Sequence, residues 1–283
     1  MSALPEASVK GRHAFLGLIR GSHPEPVVAV TGANCLLALS AGRGWSTVWV
    51  LTAVLAGQLF VGWTNDYLDR DLDARARRAE KPVPAGTVPP RRMRGAAIAA
   101  LVACVPLSLA NGLAPGLLHL GAVGVATLYN LGLKSTPASV VPYLLCFGAV
   151  PAFITLGLHS PHLPPYWATS AAAFLGAGAH FTQVLPDIEK DRRLGVSGLP
   201  QRLGTRGSTL AAAGLVAVSA LFVLLGPGHP AQLQLAALAV TLVLTGGVVY
   251  CGLSGRHRLA FRLTLAAATG IGGLFLLSGW ALA

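Results

Sequence analysis

Residues 45–73 read WSTVWVLTAVLAGQLFVGWTNDYLDRDLD, an apolar run that passes directly into a cluster of acids. Positions 45–64 carry no charge. They are long enough to cross about 30 Å of hydrocarbon, which takes roughly 17–25 helical residues. Asp66, Asp69, Asp71 and Asp73 follow. Acids at membrane depth are energetically unfavourable and are usually functional, so the stretch predicts a membrane helix that leads into a functional acidic site.

The composition extends this interpretation to the whole chain. Hydrophobic residues make up 53% of the 283 residues, charged residues make up 11%, and the mean hydropathy is +0.63. A soluble domain usually carries about 25% charged residues, so an ordinary soluble domain is excluded. We expect an all-α membrane protein, because helices satisfy their own backbone groups in lipid. Nine stretches are predicted to span the bilayer: 26–42, 45–64, 95–111, 116–133, 139–158, 165–186, 208–226, 231–252 and 260–282.

The placement of basic residues predicts the orientation. Of the 21 Lys and Arg residues, all but Arg43 fall at the N-terminus or in the turns after the second, fourth, sixth and eighth stretches. The positive-inside rule makes that side cytoplasmic. We therefore expect one domain over 1–283 in the cell membrane, with a cytoplasmic tail (1–22) and an outside C-terminus. The net charge of +11 is interpreted as charge beside anionic lipid headgroups, not as a nucleic-acid site.

Eight of the ten acids lie in two clusters, 66–80 and 187–191. On a continuous helix Asp66, Asp69 and Asp73 share one face, and Asn65 lies one turn before Asp69. Asp187 and Asp191 are likewise one turn apart. Carboxylates with an amide are the oxygen ligands that Mg²⁺ prefers, usually shared with substrate phosphates. The predicted metal ligands are Asn65, Asp66, Asp69, Asp73, Asp187 and Asp191.

This pattern suits the ionisation of an allylic diphosphate. Breaking its C–O bond places negative charge on the leaving diphosphate, which Mg²⁺ stabilises as a Lewis acid. Lys and Arg side chains neutralise the remaining charge.

The same residues carry a resemblance to the UbiA superfamily of intramembrane prenyltransferases. Asn65-Asp66-x-x-Asp69-x-x-x-Asp73 is similar to the first signature of that family. Asp187-x-x-x-Asp191, with the continuation through Leu199-Pro-Gln-Arg-Leu-Gly204, resembles the second. The resemblance implies nine helices around a central cavity, capped by the cytoplasmic loops that carry both motifs. It also implies Mg²⁺-dependent transfer of a prenyl group from a polyprenyl diphosphate to an aromatic or quinone-precursor acceptor.

Several roles follow from the resemblance. Asp66, Asp69 and Asp187 are the expected catalytic acids, and Tyr129 and Lys134 match a Tyr and a Lys that the family places near the diphosphate. Where the family often has Arg-Pro, this chain has Lys81-Pro82, which keeps the charge but loses the bidentate fork of Arg. The residues expected to bind the diphosphate are Asn65, Arg78, Lys81 and Arg192.

Four polar residues inside the predicted spans are candidates for lining the cavity. His180 and Gln183 precede Asp187 by two turns and one turn, so they share its face. Gln58 precedes Asn65 by two turns. Asn34 is the lone amide of the first span, where family members can have a residue that contacts the acceptor. For each of them the alternative is a hydrogen bond to a neighbouring helix. His119, near the opposite membrane face, is interpreted as structural.

Two alternatives remain beside the transferase. In a membrane terpene cyclase the same ionisation occurs, but the cation reacts with its own double bonds without an acceptor. A small secondary transporter is less favoured, because transporter acids lie near the midplane and these lie at span exits on one side.

Overall fold

Helices make up nearly all of the part of the chain that the structure describes, residues 14–226 and 232–277 of a computed structural model, and that part contains no strand. A short helix, α1, covers residues 14–21. Nine long helices follow: α2 (Pro24–Ser40), α3 (Thr47–Leu68), α5 (Pro90–Leu109), α6 (Leu113–Leu131), α7 (Val141–Thr155), α8 (Tyr166–Val184), α10 (Leu199–Leu225), α11 (Gln232–Leu253) and α12 (His257–Leu277). Two six-residue helices, α4 (Arg70–Arg75) and α9 (Ile188–Arg193), lie in the loops after α3 and α8.

The bounds of the predicted spans agree with these long helices to within a few residues, except for the first residue of the seventh span. The seventh span was predicted from 208, whereas α10 begins at Leu199. Pro200 lies in its first turn, where its fixed φ favours a helix. Gly204, at φ 67° and ψ −178°, then breaks the helical conformation and kinks the element, so α10 is two helical pieces. The end of the ninth predicted span, 278–282, lies outside the described residues.

The long helices close into a ring. Each one packs against the next long helix along the chain, and α12 returns to pack against α2. Arg262 of α12 donates to both carboxylate oxygens of Glu25 in α2, at 2.6 and 3.3 Å. The expected arrangement of helices around a central cavity is therefore confirmed.

Small residues allow the close approach of these helices, as in other membrane bundles. A Cβ on Gly178 of α8 would lie 2.9 Å from Val216 and 3.2 Å from the Ala212 carbonyl oxygen in α10. The main buried cluster between α2, α3, α7, α8 and α10 is rich in alanine. Replacing these buried small residues by larger ones would push the helices apart, because interiors are close-packed.

The protein is a membrane protein. Within the described residues, four helices are long and apolar enough to span a bilayer: Gly44–Leu68, Pro90–Leu109, Pro137–Thr155 and Leu199–Leu225. Large apolar side chains such as Leu128 and Val243 also face outward from α6 and α11. That all nine long helices span the membrane stays a prediction.

One end of the ring is covered by the two loops that carry the acids. The predicted N-terminal tail is partly helical, since it contains α1, which packs against the loop that carries the first acidic motif. Trp63 Nε1 in α3 donates to the Leu18 carbonyl oxygen at 2.8 Å. A Cβ on Gly17 would contact Val88 of the loop. Residues 1–13 of the tail lie outside the described residues.

Candidate active site

The first acidic motif continues the helical register of α3 across its end. The backbone N–H of Asp69 donates to the Asn65 carbonyl oxygen, and that of Asp73 donates to the Asp69 carbonyl oxygen. The Asn65 amide donates to Asp69 Oδ2 at 2.9 Å, as the one-turn spacing predicts. Asp66 and Asp73 are buried, whereas Asp69 lines the central cavity. The three carboxylates are thus in one register but not equally open to the cavity.

Each carboxylate of this motif has its own cationic partner. Lys81 pairs with Asp66, and Lys134 pairs with Asp69. The His23 Nε2 lies 3.2 Å from Asp66 Oδ1 and 3.1 Å from Lys81 Nζ. His23 adopts a left-handed backbone conformation, φ 58°, immediately before α2. This conformation is uncommon for a residue other than Gly.

Arg78 joins the two acidic motifs. Its Nη1 donates to Asp73 Oδ1 at 2.8 Å, and its Nη2 donates to Asp191 Oδ1 at 2.7 Å and lies 3.3 Å from Asp187. Burial raises the pKa values of Asp73 and Asp191, although Arg78 opposes the shift. Burial lowers the Arg78 pKa, but the three carboxylates outweigh it and the net shift is upward. All three groups are therefore held in a strongly charged, partly desolvated network.

A central cavity of about 630 Å³ opens beneath this network. Its mouth is lined by charged and amide side chains: Asn65, Asp69, Arg78, Lys81, Lys134, Asp187, Lys190 and Asp191. The walls further from the loops are apolar and include Val30, Val61 and Phe147. A ligand that fits this lining has a highly charged head and a hydrocarbon body.

Aromatic side chains form the wall between these two regions. Tyr129 and Tyr143 meet edge to face, with ring centroids 5.4 Å apart, and the Tyr143 and His180 rings are 4.4 Å apart. The Tyr143 hydroxyl donates to Gln183 Oε1 at 3.0 Å. His180 is fully buried, with Nε2 3.2 Å from Ser139 Oγ. Aromatic faces attract cations, so this wall is suited to a cation formed just below the mouth.

The family model of the UbiA prenyltransferase family matches residues 27–258, a range that contains both acidic motifs and most of the cavity lining. The chain belongs to this family. It is 29% identical to the bacteriochlorophyll synthase 33 kDa chain of Cereibacter sphaeroides, over 70% of this chain and 68% of that one. It is also 29% identical to a digeranylgeranylglyceryl phosphate synthase of Natronomonas pharaonis, over 72% and 75% of the two chains.

Solved UbiA homologues share the fold at low identity. The apo structure of a homologue from Aeropyrum pernix K1 aligns with a TM-score of 0.72 at 19% identity, covering 90% of this chain and 98% of that chain. A homologue from Archaeoglobus fulgidus bound to GPP and Mg²⁺ aligns with a TM-score of 0.69 at 19% identity, covering 94% and 99%. The fold of this UbiA-family prenyltransferase is thereby established.

Most residues predicted for the site line the cavity, and four do not. Tyr129, Lys134, His180, Gln183 and Gln58 line it together with Asp69, Asp187 and Asp191. Asp66 and Asp73 are buried outside the lining, and Asn34 lines a smaller chamber below. Arg192 is absent from the described lining; its side chain is 56% exposed and faces Glu189 at 3.9 Å. That Arg192 binds the diphosphate stays a prediction.

Sequence reasoning missed several residues of this UbiA site. His23, Tyr143, Lys190, Gln201 and Arg258 all line the cavity. Gln201 donates to Asp191 Oδ2 at 3.0 Å. A signal existed for Tyr143 and Gln201, since one is a tyrosine within an apolar run and the other lies in the quoted second motif. His23 carried no periodic signal, because it lies in a helix break.

The oxygen ligands of this site suit Mg²⁺ when substrate phosphates complete the coordination shell of the metal. Within residues 14–226 and 232–277, no group of three or more His, Cys, Asp or Glu side chains converges to hold a metal alone. Mg²⁺ usually takes one or two protein carboxylates together with substrate phosphates and water. The Oδ2 atoms of Asp66 and Asp73 are buried and have no hydrogen-bond partner. Such unsatisfied carboxylate oxygens are suited to a cation.

Proposed function

We propose that this prenyltransferase moves the prenyl group of a polyprenyl diphosphate to an aromatic or quinone-precursor acceptor, with Mg²⁺, at the cytoplasmic face of the membrane. The observation that carries the proposal is the divided lining of one cavity. Its mouth has carboxylates and cations from both motifs, and its depth is hydrocarbon. A prenyl diphosphate has the same division between a charged head and an apolar tail.

The charged mouth would hold the diphosphate. Lys81, Lys134 and Arg78 would donate to its oxygens, with Arg78 able to do so bidentately. Asn65, Asp66, Asp69, Asp73, Asp187 and Asp191 are the residues that would hold Mg²⁺, which supplies Lewis-acid charge to the leaving group when bound. The C1–O bond of the donor then breaks, and both electrons remain on the diphosphate oxygen.

The aromatic wall would face the resulting allylic cation. Tyr129 and Tyr143 present aromatic rings to it, and the apolar walls keep water away until the acceptor attacks. The acceptor forms a bond to C1 and releases a proton to water at the mouth. The name of one relative, a bacteriochlorophyll synthase, agrees with a large lipophilic acceptor.

The proposal is tested with the purified protein in lipid nanodiscs. Prenyl diphosphates of two to four isoprene units are mixed with phenolic, quinone and extracted lipid acceptors, and released pyrophosphate and products are measured. We expect pyrophosphate release to depend on an acceptor and to yield a prenylated product. A cyclised hydrocarbon or alcohol formed from the donor alone would show that the enzyme cyclises the donor and does not transfer its prenyl group. No pyrophosphate from any donor would refute both.

A further inference from the structure

The short helix α1 has an apolar face that the described chain leaves exposed. Phe15, Leu16 and Ile19 lie within about 100° of one another around this helix, at 100° per residue. Their side chains are 63%, 44% and 41% exposed. None of the three lines the central cavity, so the face is turned toward the surroundings of the protein. Leaving three large apolar side chains in water is unfavourable, so this face needs an apolar partner.

The opposite face of α1 is fixed to the protein through two glycines one turn apart. A Cβ on Gly17 would lie 2.4 Å from a methyl carbon of Val88. A Cβ on Gly21 would lie 2.8 Å from Met93 and 3.1 Å from Asp66 Oδ2. Larger side chains have no room on this side, so α1 cannot turn over and bury its apolar face against the loop. The apolar face therefore stays outward, next to the first acidic motif.

Two contacts with α3 set the depth of α1 in the bilayer. The Trp63 Nε1 donates to the Leu18 carbonyl oxygen at 2.8 Å. A Cβ on Gly62 would lie 2.8 Å from the Ser22 carbonyl oxygen, just after α1. The apolar run of this membrane helix ends at the same level, because the polar residues 64–66 follow. Tryptophan is enriched where hydrocarbon meets the headgroups, so α1 lies at that boundary.

The charge of this segment fits the same position. Residues 7–24 carry three basic residues, Lys10, Arg12 and Arg20, and no acid. Arg20 is exposed and follows Leu16 by one turn, at the edge of the apolar face. A helix with large apolar side chains on one face and basic residues beside them lies in the membrane interface and is attracted to anionic lipid. A second copy of the chain would bring the same positive charge, which disfavours a dimer through this face.

We infer that α1 is a lipid anchor beside the active site. Phe15, Leu16 and Ile19 insert into the leaflet next to the acidic loops, and Arg20 binds the headgroup of an anionic lipid there. On the predicted topology this is the cytoplasmic leaflet, which carries the negative surface potential. Because α1 packs against the loop of the first motif and leads directly to His23, the anchor attaches the membrane surface to the surroundings of the site. The assignment does not depend on which reaction the cavity catalyses.

Insertion is tested with the full chain in lipid nanodiscs, in a variant with Cys35 and Cys146 replaced by Ala. An NBD fluorophore is attached at Leu16→Cys, and its quenching is measured with aqueous iodide and with lipids that carry a nitroxide close to the headgroup. We expect the nitroxide lipid to quench the label, and iodide to quench it at least about fivefold less than a label at Ala85→Cys. Ala85, exposed in the loop after α4, is the matched control.

Two outcomes of this measurement would overturn the anchor. Equal iodide quenching at the two positions would place the α1 face in water. Protection of the Leu16→Cys label from both quenchers would show that another protein chain covers the face. Phe15→Ser combined with Ile19→Ser keeps the glycine face intact and should raise iodide quenching toward that of the Ala85→Cys label, and a folded double variant without this increase would also contradict insertion.

The lipid class is tested with the same label and with the nitroxide carried on either phosphatidylglycerol or phosphatidylcholine at equal mole fraction. We expect the phosphatidylglycerol nitroxide to quench at least about twofold more strongly, because a basic residue near the surface attracts anionic lipid. Arg20→Gln should reduce this ratio, whereas Arg75→Gln, on the exposed side of α4, should leave it unchanged. Equal quenching by the two lipids with Arg20 present would overturn the assignment of an anionic lipid.

Discussion

The Arg78 Nη2 lies 2.7 Å from Asp191 Oδ1, although the two residues are 113 positions apart in the chain. Through the same guanidinium, Asp73 of the first motif is tied to Asp187 and Asp191 of the second. A single planar group with several donors can bridge in this way, whereas an ammonium on a flexible stem acts as a point charge. Arg78 is therefore the residue on which the joint geometry of both motifs depends.

Arg78→Lys is expected to retain the fold and reduce kcat/KM. Loss of one or two charge-assisted hydrogen bonds, at about 1.5–3 kcal/mol each, corresponds to roughly tenfold or more. The pyrophosphate-release assay measures it, and Arg75→Lys on the exposed side of α4 is the control. Equal activity of the two variants would show that a single positive charge is sufficient at position 78.

The acids are expected to fall into two classes. Asp69→Asn and Asp187→Asn should each lower the rate by about 10²–10³, the effect of losing a dedicated electrostatic group. Asp71→Asn and Glu189→Gln should be far milder, because those side chains are 78% and 69% exposed and pair with neighbouring arginines on the surface. Rates are compared in purified protein at equal folded concentration.

Uniform damage across these four variants would contradict a site built on one face of each helix. Uniformly mild effects would show that both acidic clusters are ordinary solvated surface charges. Asp66→Asn, Asp73→Asn and Asp191→Asn belong to the damaging class, since Asp66 and Asp73 are buried against cations and Asp191 pairs with Arg78.

The sequence predicted the local parts of this site better than the distant ones. The Asn65–Asp69 bond follows from helical spacing alone, and the helix positions follow from apolar length. The bridge by Arg78 and the pairing of His23 with Asp66 depend on loops that fold back over the ring, and no periodicity records such contacts. The outward direction of the Arg192 side chain could not be predicted for a related reason, since adjacent residues on a helix point about 100° apart.

Removal of divalent metal is expected to abolish turnover. Excess EDTA should stop pyrophosphate release, and added Mg²⁺ should restore it, because the leaving group needs more positive charge than Lys81, Lys134 and Arg78 supply. The paired measurement is thermal unfolding in EDTA, which should change little, since each acid of the first motif already has a cationic partner. Full turnover in EDTA would show that the reaction does not need a divalent metal.

Both acidic loops are expected on the cytoplasmic side. In a variant with Cys35 and Cys146 replaced by Ala, Ala85→Cys and Ser197→Cys should react with an impermeant thiol reagent only from the cytoplasm. Ser160→Cys, in the exposed loop after α7, should react only from outside. The positive-inside distribution is the physical reason. Labelling of Ala85→Cys and Ser160→Cys from the same side would contradict this topology.

Gly198 is expected to tolerate no larger residue. A Cβ there would lie 2.3 Å from the Lys134 carbonyl oxygen and 2.7 Å from Gln201 Oε1, so Gly198→Ala must move Lys134 or the start of α10. We expect a lower melting temperature and a raised KM for the donor. Gly214→Ala, further along α10 with open space around it, should change neither. An unchanged KM in Gly198→Ala would mean that Lys134 does not position the diphosphate.

Because the acids of the site are paired with cations, binding of the diphosphate donor and binding of the metal should be coupled. Lys81 and Lys134 now act as counter-ions to Asp66 and Asp69, and those carboxylates become available to a metal only as the ammonium groups turn to another anion. Diphosphate is that anion, so each ligand releases the groups that the other binds. Linkage requires the effect to be reciprocal: whatever factor the donor adds to metal affinity, the metal adds to donor affinity. Binding would then be an ion exchange, in which neither ligand alone is held tightly.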